Sequence, residues 1–291
     1  IVDHATMINY TDEVGIFASK KTEGMLERIT FSNSIFAEGD ANSSHEESDP
    51  LRKKKPDLIN RYLHSMGTGC NTDDSRLRIV DCSIIGNLIA NSARRNPIFW
   101  GASGEIINNY IYNFHETGIH VRRNGASQQD IYVEGNVIKR GPTTKTTKSG
   151  YTLDGASEAS TRVSFKNNKR IELNGKVVNL PTVNEVVKRP KLTFDTPFNM
   201  ACVGAKYRDA NIDRIVSEVK SGTGEVGIGP VYKQQKKSDG DHGRHFVKNK
   251  NYYSTNRHPA SYDSDKDGMA DDWERANGLK VGEKDFNGDK D

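Results

Sequence analysis

Acidic residues near the C-terminus have the spacing of a calcium-binding loop. The segment DSDKDGMADDWE, residues 263–274, matches the pattern D-x-[DN]-x-[DN]-G-x5-E at every defined position. Calcium takes about six to eight oxygen ligands, and such a loop supplies alternate carboxylates, one backbone carbonyl and a two-oxygen glutamate. Without a metal, the same residues would form an acidic loop that is only solvated. The predicted ligands are Asp263, Asp265, Asp267, the carbonyl group of Met269, Asp271 and Glu274.

A second loop of the same type begins near the end of the sequence. Asn287, Asp289 and Asp291 repeat the first three ligand positions, and the remaining positions are not present in this chain. Paired loops of this kind usually hold modules together, so we expect a structural and not a catalytic role. The second loop is expected to be incomplete.

Two adjacent arginines, Arg94 and Arg95, lie just before Pro97 in the segment SARRNPIFWGASGEIINNYIYNF, residues 92–114. A guanidinium group rarely gives up its proton and offers several donors to anions. Taken alone, such a pair is also typical of a solvated surface. What these arginines do therefore depends on the elements that hold them.

Short apolar segments with a central asparagine recur along the first part of the chain. In a parallel β-solenoid the strands of successive coils stack, apolar side chains fill a shared core, and stacked asparagines bond to one another. An antiparallel sandwich with asparagine in hairpin turns is the alternative, but Asn-Gly turn pairs are scarce. We therefore expect an all-β solenoid. The segments are ITFSNSIF (29–36), SIIGNLIA (83–90), EIINNYIY (105–112), IYVEGNVIK (131–139) and VSFKNNKRI (163–171), with Asn33, Asn87, Asn109, Asn136 and Asn168.

Four regions are expected along the chain. The first is the solenoid, which lacks its first coils here and is interrupted by long polar stretches at 38–78 and 141–160. A helical segment follows, because Ile212, Val216 and Val219 recur at helical spacing. An extended linker then leads to the calcium loops. The boundaries are 1–204 for the solenoid, 205–224 for the helical segment, 225–262 for the linker and 263–291 for the calcium loops.

Composition excludes some partners. The 42 basic and 39 acidic residues give a net charge of +3, too small to indicate nucleic-acid binding. No apolar run approaches the ~18 residues needed to span a bilayer, so no membrane segment is expected. Cys70, Cys82 and Cys202 allow at most one disulfide and say little about the cellular compartment.

Taken in order, these segments resemble the pectate lyase family of right-handed parallel β-helices. The opening VDHATMINYTDEVGIFASK is similar to that family's aspartate-histidine strand and acidic loop, and RRNPIFWGASGEIINNYIYNF to its arginine-proline turn and the following rung. ITFSNSIFAEG, GIHVRRNG and VEGNVIKRGP resemble further rungs. The likeness covers residues 1–142, and ANIDRIVSEVKSGTG extends it to 224.

The resemblance implies calcium-assisted β-elimination on an acidic polysaccharide, most simply polygalacturonate. The C5 proton of a uronate is removed, the C4 oxygen leaves, and calcium with positive side chains stabilises the charge that develops on the carboxylate. Arg95 matches the family's base and Arg122 its substrate arginine, while Arg94 and His45 are further candidates for substrate binding. A guanidinium loses its proton with difficulty, so activity should climb at alkaline pH; otherwise Arg95 would be an electrostatic clamp.

The resemblance also implies an active-site calcium, since Asp12 and Glu13 fall where the family places metal ligands. Ile16 replaces the acidic residue expected after them, and Trp100 follows Pro97 where a second basic residue is expected. Alternation along a strand places Arg122 and Arg123 on opposite faces, so only one of them can serve the site.

The expected protein is therefore a secreted, calcium-dependent polysaccharide lyase. A preceding chain segment is expected to cap the first coil, because an open coil end exposes unpaired backbone groups. The alternative from another class is a non-catalytic, glycan-binding β-helix of the spike or adhesin type. A third reading is hydrolysis by paired carboxylates, for which only Asp12/Glu13 and Glu46/Glu47 come near.

Overall fold

The computed structural model describes a large part of the chain. It forms two compact units, Ile1–Tyr252 and Tyr253–Asp291. The described residues are 1–8, 10, 16–19, 24–39, 68–72, 79–122, 129–154, 161–184, 187, 197–206, 208–226, 261–265 and 270–283, without the side chains of 16–19, 72, 161, 184 and 277.

The first unit consists mostly of short β-strands. They are β1 (Val2–Asp3), β2 (Thr6–Ile8), β3 (Ile16–Ser19), β4 (Leu26–Ser32), β5 (Ile35–Ala37), β6 (Gly69–Thr72), β7 (Ile79–Ile85), β8 (Leu88–Ala90), β9 (Ile98–Phe99), β10 (Ser103–Ile107), β11 (Tyr110–Tyr112), β12 (Ile119–Arg122), β13 (Gln129–Glu134), β14 (Val137–Lys139), β15 (Tyr151–Asp154), β16 (Thr161–Lys166), β17 (Lys169–Ile171), β18 (Val177–Asn179) and β19 (Val183–Asn184).

These strands form three sheets, and the chain enters the sheets in turn. The first sheet has the order β1-β4-β7-β10-β13-β16-β19, the second β2-β5-β8-β11-β14-β17-β18, and the third β3-β6-β9-β12-β15. Up to β17, every pairing is parallel and joins strands three places apart, whereas β19 on β16 and β18 on β17 are antiparallel. The expectation of a mostly β chain with parallel sheets is confirmed.

One buried cluster is shared by all three sheets. Strand β13 shows why, because it alternates buried and half-buried residues and turns Ile131 and Val133 inward. Phe31 from the first sheet, Ile89 from the second and Phe99 from the third are each at most 1% exposed and belong to the same cluster. Burial of these side chains supplies the main favourable free energy of folding. Cys70 and Cys82 lie in this core and form a disulfide.

Four buried asparagines stack between the first and second sheets. In Asn109, Oδ1 accepts from both N and Nδ2 of Asn87, at 2.9 and 3.0 Å, and Nδ2 donates to Oδ1 of Asn136 at 3.0 Å. Asn136 repeats the pattern with Asn168. All four are at most 1% exposed, so their amides satisfy buried polar groups of neighbouring strand segments that water cannot reach.

We call these four residues the asparagine ladder. The prediction that Asn33 is its fifth member is wrong, because the equivalent position is one residue later. Asn33 has a φ of 45°, and its neighbour Ser34 takes the ladder position, where its N–H donates to Oδ1 of Asn87 at 2.9 Å. The same division holds in later segments of the chain: Gly86, at φ 65°, precedes Asn87, and Asn108, at φ 53°, precedes Asn109. Two consecutive residues thus divide the roles. The first adopts the left-handed backbone conformation of the bend, and the second accepts the hydrogen bonds of the stack.

A helix, α1 (Ala210–Ser221), packs on the outer side of the second sheet. Asp209 caps its N-terminus through bonds to N–H groups of Asn211 and Ile212, and Gly222 ends it with a left-handed φ of 78°. It lies within the segment expected to be helical. Its apolar face joins a second buried cluster, formed by Ile35, Ala37, Leu88, Ala90, Tyr112, Val203, Ile212, Ile215, Val216 and Val219.

Polar contacts fix this helix along the sheet. Arg214 bridges Glu38, at 2.7 Å, and Glu218, at 2.8 Å. Lys139, at the end of β14, donates through Nζ to the carbonyl oxygen of Val219 at 2.7 Å, where the last turn of a helix leaves carbonyl groups unpaired.

Candidate functional site

The outer face of the third sheet carries a group of polar side chains. Along β12, Ile119 and Val121 are fully buried, whereas His120 and Arg122 are half-buried. Side chains alternate along a strand, so the two buried residues enter the core and His120 and Arg122 point away from it. The face of β12 that carries Arg122 is therefore the outer face.

Parallel register brings four unlike residues into one row across this face. Strand β12 pairs Arg122 with Asp154 of β15, and it pairs Val121 with Phe99, which places Trp100 beside Arg122. Strand β6 pairs Cys70 with Phe99, so Asn71 is the next member of the row. The N–H of Trp100 donates to the Cys70 carbonyl at 2.8 Å, which extends the ladder one residue beyond β9. We call Asn71, Trp100, Arg122 and Asp154 the outer row.

Arg122 lies against the Trp100 indole. Its guanidinium carbon is 3.9 Å from the ring centroid, a distance typical of a cation–π contact. Within the described part of the chain, the guanidinium makes no hydrogen bond or ion pair, and Nε1 of Trp100 and Oδ1 of Asn71 are buried without a hydrogen-bond partner. Trp100 therefore orients Arg122 while leaving its N–H groups available.

His120 and Asp154 form a hydrogen-bonded pair on the same face. Nε2 of His120 is 2.5 Å from Oδ2 of Asp154, with side chains 15% and 44% exposed. Burial lowers the pKa of His120, and the positive charges of Arg95 and Arg122 lower it further. Together these effects outweigh the bond and the charge of Asp154, which raise that pKa. The surroundings of the ring therefore favour its neutral form.

Arg95 reaches the same place from the turn before β9. It is half-buried and has a φ of 58°, a left-handed conformation uncommon for arginine. The following residue anchors the turn: the buried Asn96 donates from its backbone to the Gly118 carbonyl at 2.7 Å and from Nδ2 to the Thr117 carbonyl at 3.1 Å. This turn thus bonds to the chain just before β12, which brings Arg95 near His120.

The structure brings together some predicted site residues and not others. Arg95 and Arg122 both act on His120. Arg94 is half-buried, and its Nε atom is buried without a hydrogen-bond partner among the described residues. His45, Asp12 and Glu13 lie outside the described residues.

Four residues of the site were not predicted from the sequence, namely Asn71, Trp100, His120 and Asp154. His120 could have been found from alternation, since it lies two residues before Arg122 in GIHVRR and shares its face. Trp100 stood where a basic residue was expected and was treated only as a departure. Asp154 carries no local signal, because only the register across β12 and β15 places it beside Arg122 and His120.

Within the described residues, no group of three or more histidine, cysteine, aspartate or glutamate side chains is placed to hold a metal ion. Strand β3, which begins at Ile16 and pairs with Gly69, lies at the edge of the third sheet. The acidic loop expected to bind calcium in the active site precedes this strand in sequence.

The second unit contains part of the predicted calcium loop. Its helix, α2 (Asp271–Asn277), begins at the ninth loop position, and Glu274, at the twelfth, is completely buried. The N–H and the hydroxyl of Ser264 donate to the carboxylate of Asp271 at 2.7 and 2.6 Å, and these bonds lower the pKa of Asp271. Burying a carboxylate costs free energy unless a cation or donors compensate for it, so buried Glu274 is compatible with a bound cation.

The other predicted ligands divide between described and undescribed residues. Asp263 and Asp265 belong to the described segment 261–265. Asp267, Met269, Asn287, Asp289 and Asp291 lie outside the described residues.

The chain matches no protein-family model and no curated protein. None of the helices among the described residues is both long and apolar enough to cross a bilayer.

Proposed function

We propose that this protein is an extracellular lyase that cleaves an acidic polysaccharide such as polygalacturonate by calcium-assisted β-elimination. The observation that carries this proposal is the placement of Arg95 and Arg122 around His120 on the outer face of the third sheet, beside the Trp100 ring. A uronate offers a carboxylate for guanidinium groups and a flat ring face for an aromatic side chain. Surface and ligand are therefore complementary in charge and in shape.

We propose a right-handed parallel β-helix as the architecture that holds this site. The regular entry of the chain into three parallel sheets supports it, as does a core shared by all three sheets. Parallel strands joined by a crossover are right-handed in about 98% of cases. Stacked coils place equivalent strands side by side, so residues far apart in sequence lie in one row on the same face.

Arg122 is proposed to hold the substrate carboxylate. Its N–H groups make no hydrogen bond or ion pair with the described residues, and Trp100 packs against the plane of the guanidinium. Two parallel N–H bonds to one carboxylate would orient the sugar and withdraw charge as the C5 proton leaves. Arg94 and His45 are proposed as further contacts to the polysaccharide.

Arg95 is proposed to take the C5 proton. The C5–H bond and the C4–O bond break while a C4–C5 double bond forms, so the product is an unsaturated sugar. The guanidinium must first lose a proton, and activity is therefore expected to climb at alkaline pH. Calcium held near Asp12 and Glu13 would stabilise negative charge on the substrate carboxylate when bound.

The loops at 263–291 are proposed to bind calcium for a structural purpose. Asp263, Asp265, Asp271 and the buried Glu274 fit the oxygen-rich donor set that calcium requires. An extracellular setting suits weak calcium sites, because calcium is plentiful there and keeps them filled.

The proposed activity is tested by incubating the full chain with polygalacturonate and calcium and following the ultraviolet absorbance of the unsaturated product. Arg95→Ala is expected to lower kcat by about 100-fold or more. Arg28→Ala is the matched control, because Arg28 has a similar left-handed φ of 55° but lies exposed on β4 of the first sheet. The backbone effect of the substitution is then shared, and only Arg95 borders the site.

The outcomes separate three functions. Product absorbance that is lost in Arg95→Ala and kept in Arg28→Ala supports the lyase. New reducing ends without absorbance would indicate hydrolysis. Binding of polygalacturonate with neither signal would indicate the non-catalytic glycan-binding protein and would overturn the proposed activity.

A further inference from the structure

We propose that His120 is a second proton acceptor of this site, with Asp154 as its positioning residue, and that it works at neutral pH while Arg95 remains charged. This inference rests on the proposed lyase function and deepens it. It assigns the two arginines to charge stabilisation at neutral pH and gives the proton transfer to an imidazole.

The geometry of the pair prepares one ring nitrogen as a base. Asp154 accepts a hydrogen bond from Nε2 of His120 at 2.5 Å, which places the ring proton on Nε2. Nδ1 then carries a lone pair, and among the described residues it has no hydrogen-bond partner. A carboxylate on one nitrogen both orients the ring and stabilises the imidazolium that forms when the other nitrogen takes a proton.

The charges that face His120 come from each element packed around it. Arg95 faces it from the turn before β9, Arg122 from its own strand β12, and Asp154 from β15. Burial and the two arginines keep the ring neutral, and a neutral imidazole can accept a proton where a guanidinium cannot. The fixed positive charges that favour the neutral ring are also those that attract the uronate carboxylate.

The step balances without any other reactant. Nδ1 of His120 takes the C5 proton, the electron pair of the C5–H bond becomes the C4–C5 double bond, and the C4–O bond breaks toward the leaving oxygen. The imidazolium then returns its proton to that oxygen, so the ring ends neutral. One hydrogen has moved from C5 to O4. The polysaccharide has been cleaved into one piece with a saturated end and one with an unsaturated end.

The test is the pH dependence of kcat in the full chain with polygalacturonate and calcium, from about pH 5 to about pH 10. The wild-type rate is expected to rise first through the titration of the histidine and again at alkaline pH. His120→Gln is expected to lower kcat at about pH 7 by about 100-fold, with KM changed less than about threefold and with the alkaline rise retained. Asp154→Asn is expected to shift the first rise and lower kcat less.

His115→Gln is the matched control. His115 is also half-buried with a pKa lowered by burial, but its Nδ1 atom bonds to the Thr143 carbonyl at 2.8 Å. The proposal is supported if kcat of His115→Gln depends on pH as in the wild type and kcat of His120→Gln no longer rises near neutral pH. Asp154→Asn serves as the second variant should His120→Gln fail to fold, as judged by its thermal unfolding.

Two negative results are distinguishable. Product formation by wild type together with an unchanged kcat and profile in His120→Gln overturns the role of His120 and leaves the lyase function standing. Absence of unsaturated product from the wild-type chain at every pH overturns the lyase function and this inference with it.

Discussion

Two sets of stacked polar residues run across neighbouring parallel strands of this fold, and they differ in what their hydrogen bonds do. In the asparagine ladder, formed by Asn87, Asn109, Asn136 and Asn168, each amide bonds to the next coil. In the outer row of the third sheet, Arg122 touches Trp100, and the hydrogen-bonding atoms Oδ1 of Asn71 and Nε1 of Trp100 find no partner among the described residues.

The same parallel register produces both sets, so the difference lies in residue type and position. Identical amides are self-complementary, since each has a donor and an acceptor, and a stack of them closes on itself. In the outer row Arg122 packs on the Trp100 ring and Asp154 bonds to His120, so these four unlike side chains form no continuous hydrogen-bonded stack among the described residues. Stacking thus closes a hydrogen-bonded ladder where the residues repeat and leaves polar atoms of Asn71 and Trp100 without a partner among the described residues where they differ.

The largest expected effect is on stability, when the same substitution is made in each set. Asn109→Leu leaves the buried N–H of Asn87 without its acceptor and is expected to lower the free energy of unfolding by about 3 kcal/mol or more. Asn71→Leu in the outer row is expected to cost less than about 1 kcal/mol. Urea denaturation of both variants measures the difference, and equal losses would contradict the contrast between a closed and an open stack.

The predicted calcium loop is tested through its buried carboxylate, Glu274. Glu274→Gln replaces one buried carboxylate oxygen by an amide group and is expected to weaken calcium binding to the full chain by about tenfold or more, or about 1.4 kcal/mol. Calorimetric titration with calcium measures it. Glu283→Gln, an exposed glutamate of the same unit, is the control. Equal affinity of both variants would argue against metal ligation by Glu274.

The outer row is tested by binding rather than by stability. Arg122→Ala is expected to weaken binding of polygalacturonate by about tenfold and to change the free energy of unfolding by no more than about 1 kcal/mol, because one cation–π contact is lost. Arg162→Ala is the comparison, since Arg162 bonds Asp130 through two nitrogens on the first sheet and should affect folding without affecting affinity. The reverse result would show that Arg122 is structural.

The smallest effect concerns pH. The pKa values of His120 and His115 are both lowered in the folded chain, chiefly by burial, so the folded chain binds fewer protons than the unfolded chain. Their contribution to stability is therefore complete above the unfolded histidine pKa of about 6.5 and is lost as pH falls through the folded values. Thermal unfolding midpoints should decrease on acidification below about pH 6.5. His120→Gln should reduce the dependence of the unfolding midpoint on pH. An unchanged dependence would count against a lowered pKa of His120 in the folded chain.

The sequence predicted the repeating part of the fold well, because the ladder asparagines occupy equivalent places in similar segments. It failed at Asn33, since asparagine suits both a left-handed bend and a stacked amide, and the two roles are separated only where two asparagines are adjacent, as at Asn108–Asn109 and Asn167–Asn168. Local patterns could not specify which residue of one coil meets which residue of the next.

The candidate site shows the same limit. Strand alternation was enough to assign Arg122 to one face, and the resemblance of the arginine-proline turn singled out Arg95. Asp154 lies 34 residues after His120, and the lengths of the intervening loops decide whether they meet. The periodicity of the sequence does not predict those loop lengths. The pairing of His120 with Asp154 is therefore visible only from the register of β12 and β15.

The reversed direction of β18 and β19 has a consequence for how such a chain can lengthen during evolution. Both strands lie on the last members of their sheets, so a strand copied after them would meet an antiparallel neighbour and not the parallel one that every earlier coil provides. New strands could therefore continue the parallel pattern when inserted by duplication between existing ones, whereas a strand added after β18 or β19 would have a reversed neighbour.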